Sequence, residues 1–182
     1  MVQILQANGR NARKAMKATQ KLELAIITNL HDCIDNYWND SEIYGMIRLK
    51  RLNNNNKVEI IFPPKKDGRR IKANQVNGAY VHLHHNRVMY AGKSDSPSTS
   101  VGSRQRNHIN SFINPEKPNE SSGRKYHEYM VENDLQELEI VIKYIETSST
   151  NINGMAELIE SATIEKHKPL LNREIKGRGS RK

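Results

Sequence analysis

Tyr80, Tyr90, Arg104 and His108 are the residues whose types and spacing suit this chain to chemistry. Gly78-Ala79-Tyr80 and Met89-Tyr90-Ala91-Gly92-Lys93-Ser94 place one tyrosine in each of two short extended segments. After a polar loop come Arg104 and His108, four residues apart, which on a helix puts both on one face. Those side chains can assemble a site that breaks a phosphodiester bond. That reaction needs an activated water, neutralised charge on the non-bridging oxygens and help for the leaving oxygen. A guanidinium offers phosphate a planar fork of donors, and an imidazole donates to phosphate or orients the water.

The elements that must hold these residues are legible as patterns. Residues Ala12 to Trp38 carry Met16, Leu22, Ala25, Ile26, Leu30, Ile34 and Trp38 at helical spacing, with Asn11 as a cap and Asn39-Asp40 as a stop. A short segment is expected at Ser41 to Tyr44. Met46 to Leu52 and Lys57 to Phe62 read as two strands joined by an Asn53–Asn56 turn. Gly78 to Leu83 and Arg87 to Ala91 form a second hairpin, with His84-His85-Asn86 at the turn. Gly102 to Phe112 is expected as a helix with Ile109 and Phe112 inward, and Asn114 to Lys125 as a mobile loop or insertion. Tyr126 to Asn133 reads as a short helix, Leu138 to Ile145 as a third core strand, and Gly154 to His167 as a final helix ended by Pro169. Its cap is expected at Asn153, and its buried stripe at Met155, Leu158, Ile159, Ala162 and Ile164. The basic tail, Arg173 to Lys182, reads as disordered, or as folding on a phosphate backbone.

Composition sets the surroundings of the site. The 182 residues suit one domain with an elaborate periphery, and 36% hydrophobic content is enough for a core. Lys plus Arg number 29 against 20 Asp plus Glu, a formal charge of +9 that favours a polyanionic partner. Cys33 is the only cysteine, which excludes an intramolecular disulfide and a cysteine zinc site, and it reads as a buried structural thiol. No apolar run approaches the roughly 18 residues of a membrane span, and Met1 to Gly9 lacks a secretory pattern. A cytoplasmic protein with no membrane association is expected. His82, His84 and His85 have the residue types of a metal cluster. They alternate faces along a strand and turn without a nearby carboxylate, so they read as structural.

From Val76 onward the order strand, strand, helix, strand, helix makes a small α/β unit, and here the chain resembles the GIY-YIG nuclease family. The first signature stands as Gly78-Ala79-Tyr80 and the second as Tyr90-Ala91-Gly92, each with Ala for the usual Ile, followed by Lys93. Arg104 and His108 match the family's Arg and His. Glu160, twelve residues before Asn172, begins a stretch with Lys168-Pro169 that is similar to its closing motif. The likeness covers Gly78 to Asn172, about half the chain. It implies an α+β fold whose core is a small three-stranded antiparallel sheet flanked by helices, with an N-terminal helix and β-hairpin as an extension. It also implies catalytic roles for Tyr80, Tyr90, Lys93, Arg104, His108 and Glu160. Glu160 would hold Mg²⁺, or Mn²⁺ in its place; magnesium retains several waters and suits one carboxylate. Tyr80 would deprotonate or position the attacking water, and its phenol, with an ordinary pKa of about 10, would need Lys93, Arg104 or metal-bound water to lower it. Gly78, Gly92 and Asn172 would support the site.

The resemblance, with no second large domain, points to a type II restriction endonuclease. It implies double-stranded DNA as substrate, a homodimer cutting one strand per subunit, and a protective DNA methyltransferase as counterpart. Rival readings are a phage or mobile-element nuclease of low specificity and a non-catalytic DNA-binding module. Residues 1–75 would serve DNA binding or dimerisation, residues 76–173 the nuclease core with an insertion at about 113–127, and residues 174–182 a basic tail. Candidate DNA contacts are Arg48, Lys50, Arg51, Lys65, Lys66, Arg69, Arg70 and Arg106.

Overall fold

The computed structural model describes residues 29–52, 56–62, 72–96, 98–115, 122–148 and 154–172. Expectations placed on residues 11–28, 53–55, 63–71, 153 and 173–182 lie outside them.

Residues 29–39 form the described part of the first helix, α1. Ile34 and Trp38 are its buried positions, as the spacing predicts. Strands β1 (Glu42–Lys50) and β2 (Lys57–Ile61) follow, so the segment expected at Ser41 to Tyr44 belongs to the start of β1. Then come β3 (Gly78–His84), β4 (Arg87–Ser94), α2 (Val101–Ile113), α3 (Ser122–Glu132), β5 (Glu137–Glu146) and α4 (Met155–His167). A 3-10 turn, Leu170–Asn172, closes the described chain.

The strands form one antiparallel sheet in the order β2-β1-β5-β3-β4. The expected three-stranded core is therefore part of a five-stranded sheet, and the β1–β2 hairpin is continuous with it. The reason lies in β5, whose alternate residues Leu138, Ile140, Ile142 and Tyr144 are buried. A buried ten-residue strand must satisfy backbone groups along both edges. Strand β3 serves one edge from Gly78↔Glu146 to Leu83↔Val141, and β1 the other from Glu42↔Tyr144 to Lys50↔Glu137.

Helices cover both faces. Ile47, Leu49, Tyr80, Leu138, Ile140 and Ile142 pack with Val101 and Phe112 of α2 and Tyr126 and Met130 of α3. On the other face Ala79, Val81, Val88 and Ala91 pack with Ile34 and Trp38 of α1 and Ile159 of α4. Trp38 Nε1 donates to Thr163 Oγ1 at 3.0 Å, joining α1 to α4. The buried stripe of α4 is accordingly Ala156, Ile159, Ala162 and Thr163, shifted from the expected one, with Met155 and Ile164 at its margin. Its N-cap is Gly154, at φ 79° and with no side-chain cap bond.

The insertion expected through Lys125 and to about residue 127 is partly helix. Residues 122–127 belong to α3, because Gly123 lets α3 approach α2 closely: a Cβ there would stand 1.8 Å from the His108 carbonyl oxygen. Cys33 is half-buried rather than buried, and its Sγ donates to the Asn29 carbonyl within α1. Among the described residues no helix is long and apolar enough to cross a membrane.

Candidate active site

Two local features set the site. The β3–β4 hairpin turns through His85 and Asn86, at φ 48° and 61°, the left-handed pair that a tight two-residue hairpin requires. Its register places Tyr80 opposite Gly92 and His82 opposite Tyr90. Helix α2 begins at a reciprocal cap: Ser103 N–H donates to Ser100 Oγ at 3.1 Å, and Ser100 N–H to Ser103 Oγ at 2.8 Å. The helix start thus fixed carries Arg104 and His108 over the hairpin.

The expected residues converge there. Tyr80 Oη stands 2.7 Å from His108 Nε2. The Tyr90 ring lies 6.2 Å from that of Tyr80 and 5.5 Å from that of His108. Arg104 and Glu160 both act electrostatically on Tyr80 and Tyr90. Arg104 and His108 come from one face of the sheet and Glu160 from the helix on the other. The edge strand β4 presents almost no side chain at Ala91 and Gly92.

Glycines and Asn172 frame this arrangement. A Cβ at Gly78 would stand 2.0 Å from the Ile145 carbonyl oxygen, so only glycine lets β3 pass β5 there. Asn172 Oδ1 accepts from Ala91 N–H at 2.7 Å, and its Nδ2 donates to Ala91 O at 2.8 Å. The side chain thus satisfies the free edge of β4 midway between Tyr90 and Gly92.

Burial dominates the electrostatics. It raises the Tyr80 phenol well above its ordinary pKa, and the opposing pull of Arg104 is smaller. Lys93 does not lower it: its ammonium is held by Asp95 at 2.7 Å and Glu157 at 3.0 Å. Of the two cations expected to draw the Tyr80 phenol down, Arg104 does so, but by less than burial raises it. Burial also lowers His108 well below the usual imidazole value, aided by His82 and Arg104, so the ring is neutral. Glu160 is pushed up to about 7, first by burial and then by Glu157 and Asp95, against the pull of Lys93 and Arg104.

Several side chains here are left with unmet demand, His108 Nδ1 and Gln105 Nε2 among them. The Arg104 side chain makes no hydrogen bond or ion pair among the described residues, and its buried Nε has no partner. Glu160, half-buried, likewise has none. A lone carboxylate with a raised pKa fits a magnesium ion that keeps most of its ligands as water. No group of three or more His, Cys, Asp or Glu among the described residues is placed to hold a metal ion.

The remaining candidates lie elsewhere. Arg48 bridges Glu59 and Glu139, each at 3.3 Å; Lys50 pairs with Glu137 and Arg51 with Asp134. These basic residues of β1 and its C-terminal end are thus already paired with acids on β2, β5 and the turn before β5. Arg106 is exposed and donates to Asn74 Oδ1 at 3.2 Å. Lys65, Lys66, Arg69 and Arg70 lie outside the described residues. The three histidines do not gather at one point: His82 is buried, His84 bonds the Glu139 carbonyl, and His85 sits in the turn with its ring 4.1 Å from that of His84.

His82, Gln105 and Tyr126, packed directly behind the site, were missed as members of it, as were Asp95 and Glu157 on Lys93. The signal for His82 was present: strand period two puts it on the face of Tyr80. Nothing local marks Tyr126, which arrives from α3. Comparison of the chain with family models, with curated proteins and with solved structures returns no match.

Proposed function

We propose that this chain is a metal-dependent, sequence-specific double-stranded DNA endonuclease of the type II restriction kind, as its resemblance to the GIY-YIG family implies. The observation that carries the reading is the unpartnered Arg104. Arg48, Lys50, Arg51, Lys93, Arg124 and Lys166 all have carboxylate partners. Arg104 faces two tyrosines and a partnerless carboxylate with none, and a partly buried guanidinium in that position calls for an anion.

Arg104 receives the non-bridging oxygens of the phosphate, and Tyr90 adds a hydrogen bond. Tyr80 orients the attacking water. Because burial opposes a free phenolate, Tyr80 takes the water's proton as its own passes to His108 Nε2, 2.7 Å away. A bound phosphate offsets the Arg104 charge that disfavours imidazolium. The new hydroxide attacks phosphorus, the bond to the leaving oxygen breaks, and that oxygen takes a proton from solvent. Glu160 holds the Mg²⁺, or substituting Mn²⁺, whose charge offsets that developing on the phosphate. The pairs of Arg48 and Lys50 lie at the solvent-facing surface, where ion pairs are weak, so DNA phosphates can replace their carboxylates at small cost. A homodimer gives each strand its own site, and a partner methyltransferase protects the host's copies of the sequence.

Plasmid DNA incubated with the protein and Mg²⁺ tests this. Discrete fragments are expected, with end sequences that report the recognition site and its symmetry. A smear would mean a nuclease of low specificity. Retarded but uncut DNA under every divalent metal would mean a non-catalytic binding module.

A further inference from the structure

Behind the Tyr80–His108 pair runs a buried polar chain that takes no direct part in that reaction. His82 is 3% exposed. Its Nε2 stands 2.9 Å from Gln105 Oε1 on α2, and its Nδ1 3.0 Å from Tyr126 Oη on α3. An amide oxygen only accepts, so His82 Nε2 carries the proton and its Nδ1 accepts from the Tyr126 hydroxyl. Burial keeps the ring neutral, with its pKa down to about 4, consistent with that pattern. Both links therefore have a fixed direction, from Tyr126 through His82 to Gln105.

One imidazole thus ties β3 to two helices. Gln105 lies between Arg104 and His108 on α2, so its bond sets how α2 is turned against the sheet. The His82 ring also stands edge-on to His108, with centroids 5.5 Å apart at 85°, and 5.3 Å from the ring of Tyr90. A purely packing role is better filled by an apolar side chain. Gln105 Nε2 is buried with no partner among the described residues, and an unmade hydrogen bond of that kind opposes folding.

We infer that His82, Gln105 and Tyr126 form a positioning unit that sets the rotation of α2, so that His108 meets Tyr80 and Arg104 faces the phosphate. None of the three touches the reacting atoms. The effect on turnover rests on the nuclease reading; the effect on His108 does not.

The test combines ring-nitrogen NMR of ¹⁵N-histidine protein, free of DNA, with cleavage kinetics. Gln105→Leu, folded by circular dichroism, should shift the ring-nitrogen signals of both His82 and His108. It should lower kcat by about ten- to hundredfold while leaving KM within about twofold. Gln105→Glu retains an acceptor for His82 Nε2 and should recover most of both losses. Tyr126→Phe removes the other link with the ring in place, and decides the matter if Gln105→Leu does not fold. If only His82 signals move while His108 and kcat stay as in the wild type, the positioning role is wrong. If His108 signals move but no form of the protein cuts DNA, the positioning holds and the nuclease reading fails.

Discussion

The ring of Tyr80 lies across Gly92, its register partner on the neighbouring strand: a Cβ at Gly92 would stand 2.6 Å from both Cζ and Oη of the phenol. The phenol has nowhere to retreat. It is 2% exposed and walled by His82, Tyr90 and His108. Gly92→Ala should destabilise the protein by about 1–3 kcal/mol through overpacking, and lower single-turnover cleavage by about a hundredfold through misplacement of the hydroxyl. Denaturant unfolding and rapid-quench cleavage read the two effects. Wild-type behaviour in both would mean that the ring does not occupy that place.

On the proposed reading, the carboxylate that would hold the metal, Glu160, carries a pH-dependent cost in stability. Its pKa of about 7 in the folded protein lies above the 4.5 of an unperturbed glutamate. The folded state therefore keeps a proton that the unfolded state has released, and stability falls as pH rises from about 4.5 through about 7. Glu160→Gln should be more stable than the wild type by about 1–2 kcal/mol at pH 8, allowing for solvent around the half-buried carboxylate, and equal to it near pH 4.5. Cleavage should be lost with DNA binding retained, and added Mg²⁺ should raise the melting temperature of the wild type alone. An equal stability difference at both pH values would reject the assignment.

Arg104 invites the same contrast between stability and function. Since it has no partner among the described residues, Arg104→Met breaks no ion pair and removes an unsatisfied Nε. Stability should hold or rise by up to about 1 kcal/mol. Cleavage should collapse, and the salt slope of DNA affinity should shrink by about one. Binding titrations across a salt series measure the slope; an unchanged slope would mean that Arg104 meets no phosphate.

Asn172 acts through backbone rather than substrate. Asn172→Leu leaves the Ala91 N–H and C=O without their present partners at the sheet edge, which should cost about 1–3 kcal/mol. Cleavage should fall because Ala91 sits between Tyr90 and Gly92. Hydrogen exchange at the Ala91 amide reports the loss directly, and protection equal to the wild type would show that Asn172 does not hold the strand.

How far the sequence alone reached follows from the range of each interaction. Strand and helix positions were legible because period and capping are local: β3, β4, α2 and α4 fall within a few residues of their expected bounds. Tyr80, Tyr90, Arg104, His108 and Glu160 were gathered as a set by the resemblance to the GIY-YIG family, which is a match of residue types in order and needs no knowledge of their surroundings. The five-stranded sheet was not legible, because β1 and β5 pair across about ninety residues and neither strand names its neighbour. The protonation of the site was hidden for the same reason. Side-chain type suggested that cations would draw down the Tyr80 pKa; burial by parts distant in sequence raises it instead. The amino-acid order determined which groups are present and which local elements carry them. Tertiary structure alone decided that Lys93 is tied up, Arg104 is left without a partner and His82 stands behind His108, because desolvation and partner choice depend on what surrounds a side chain in space.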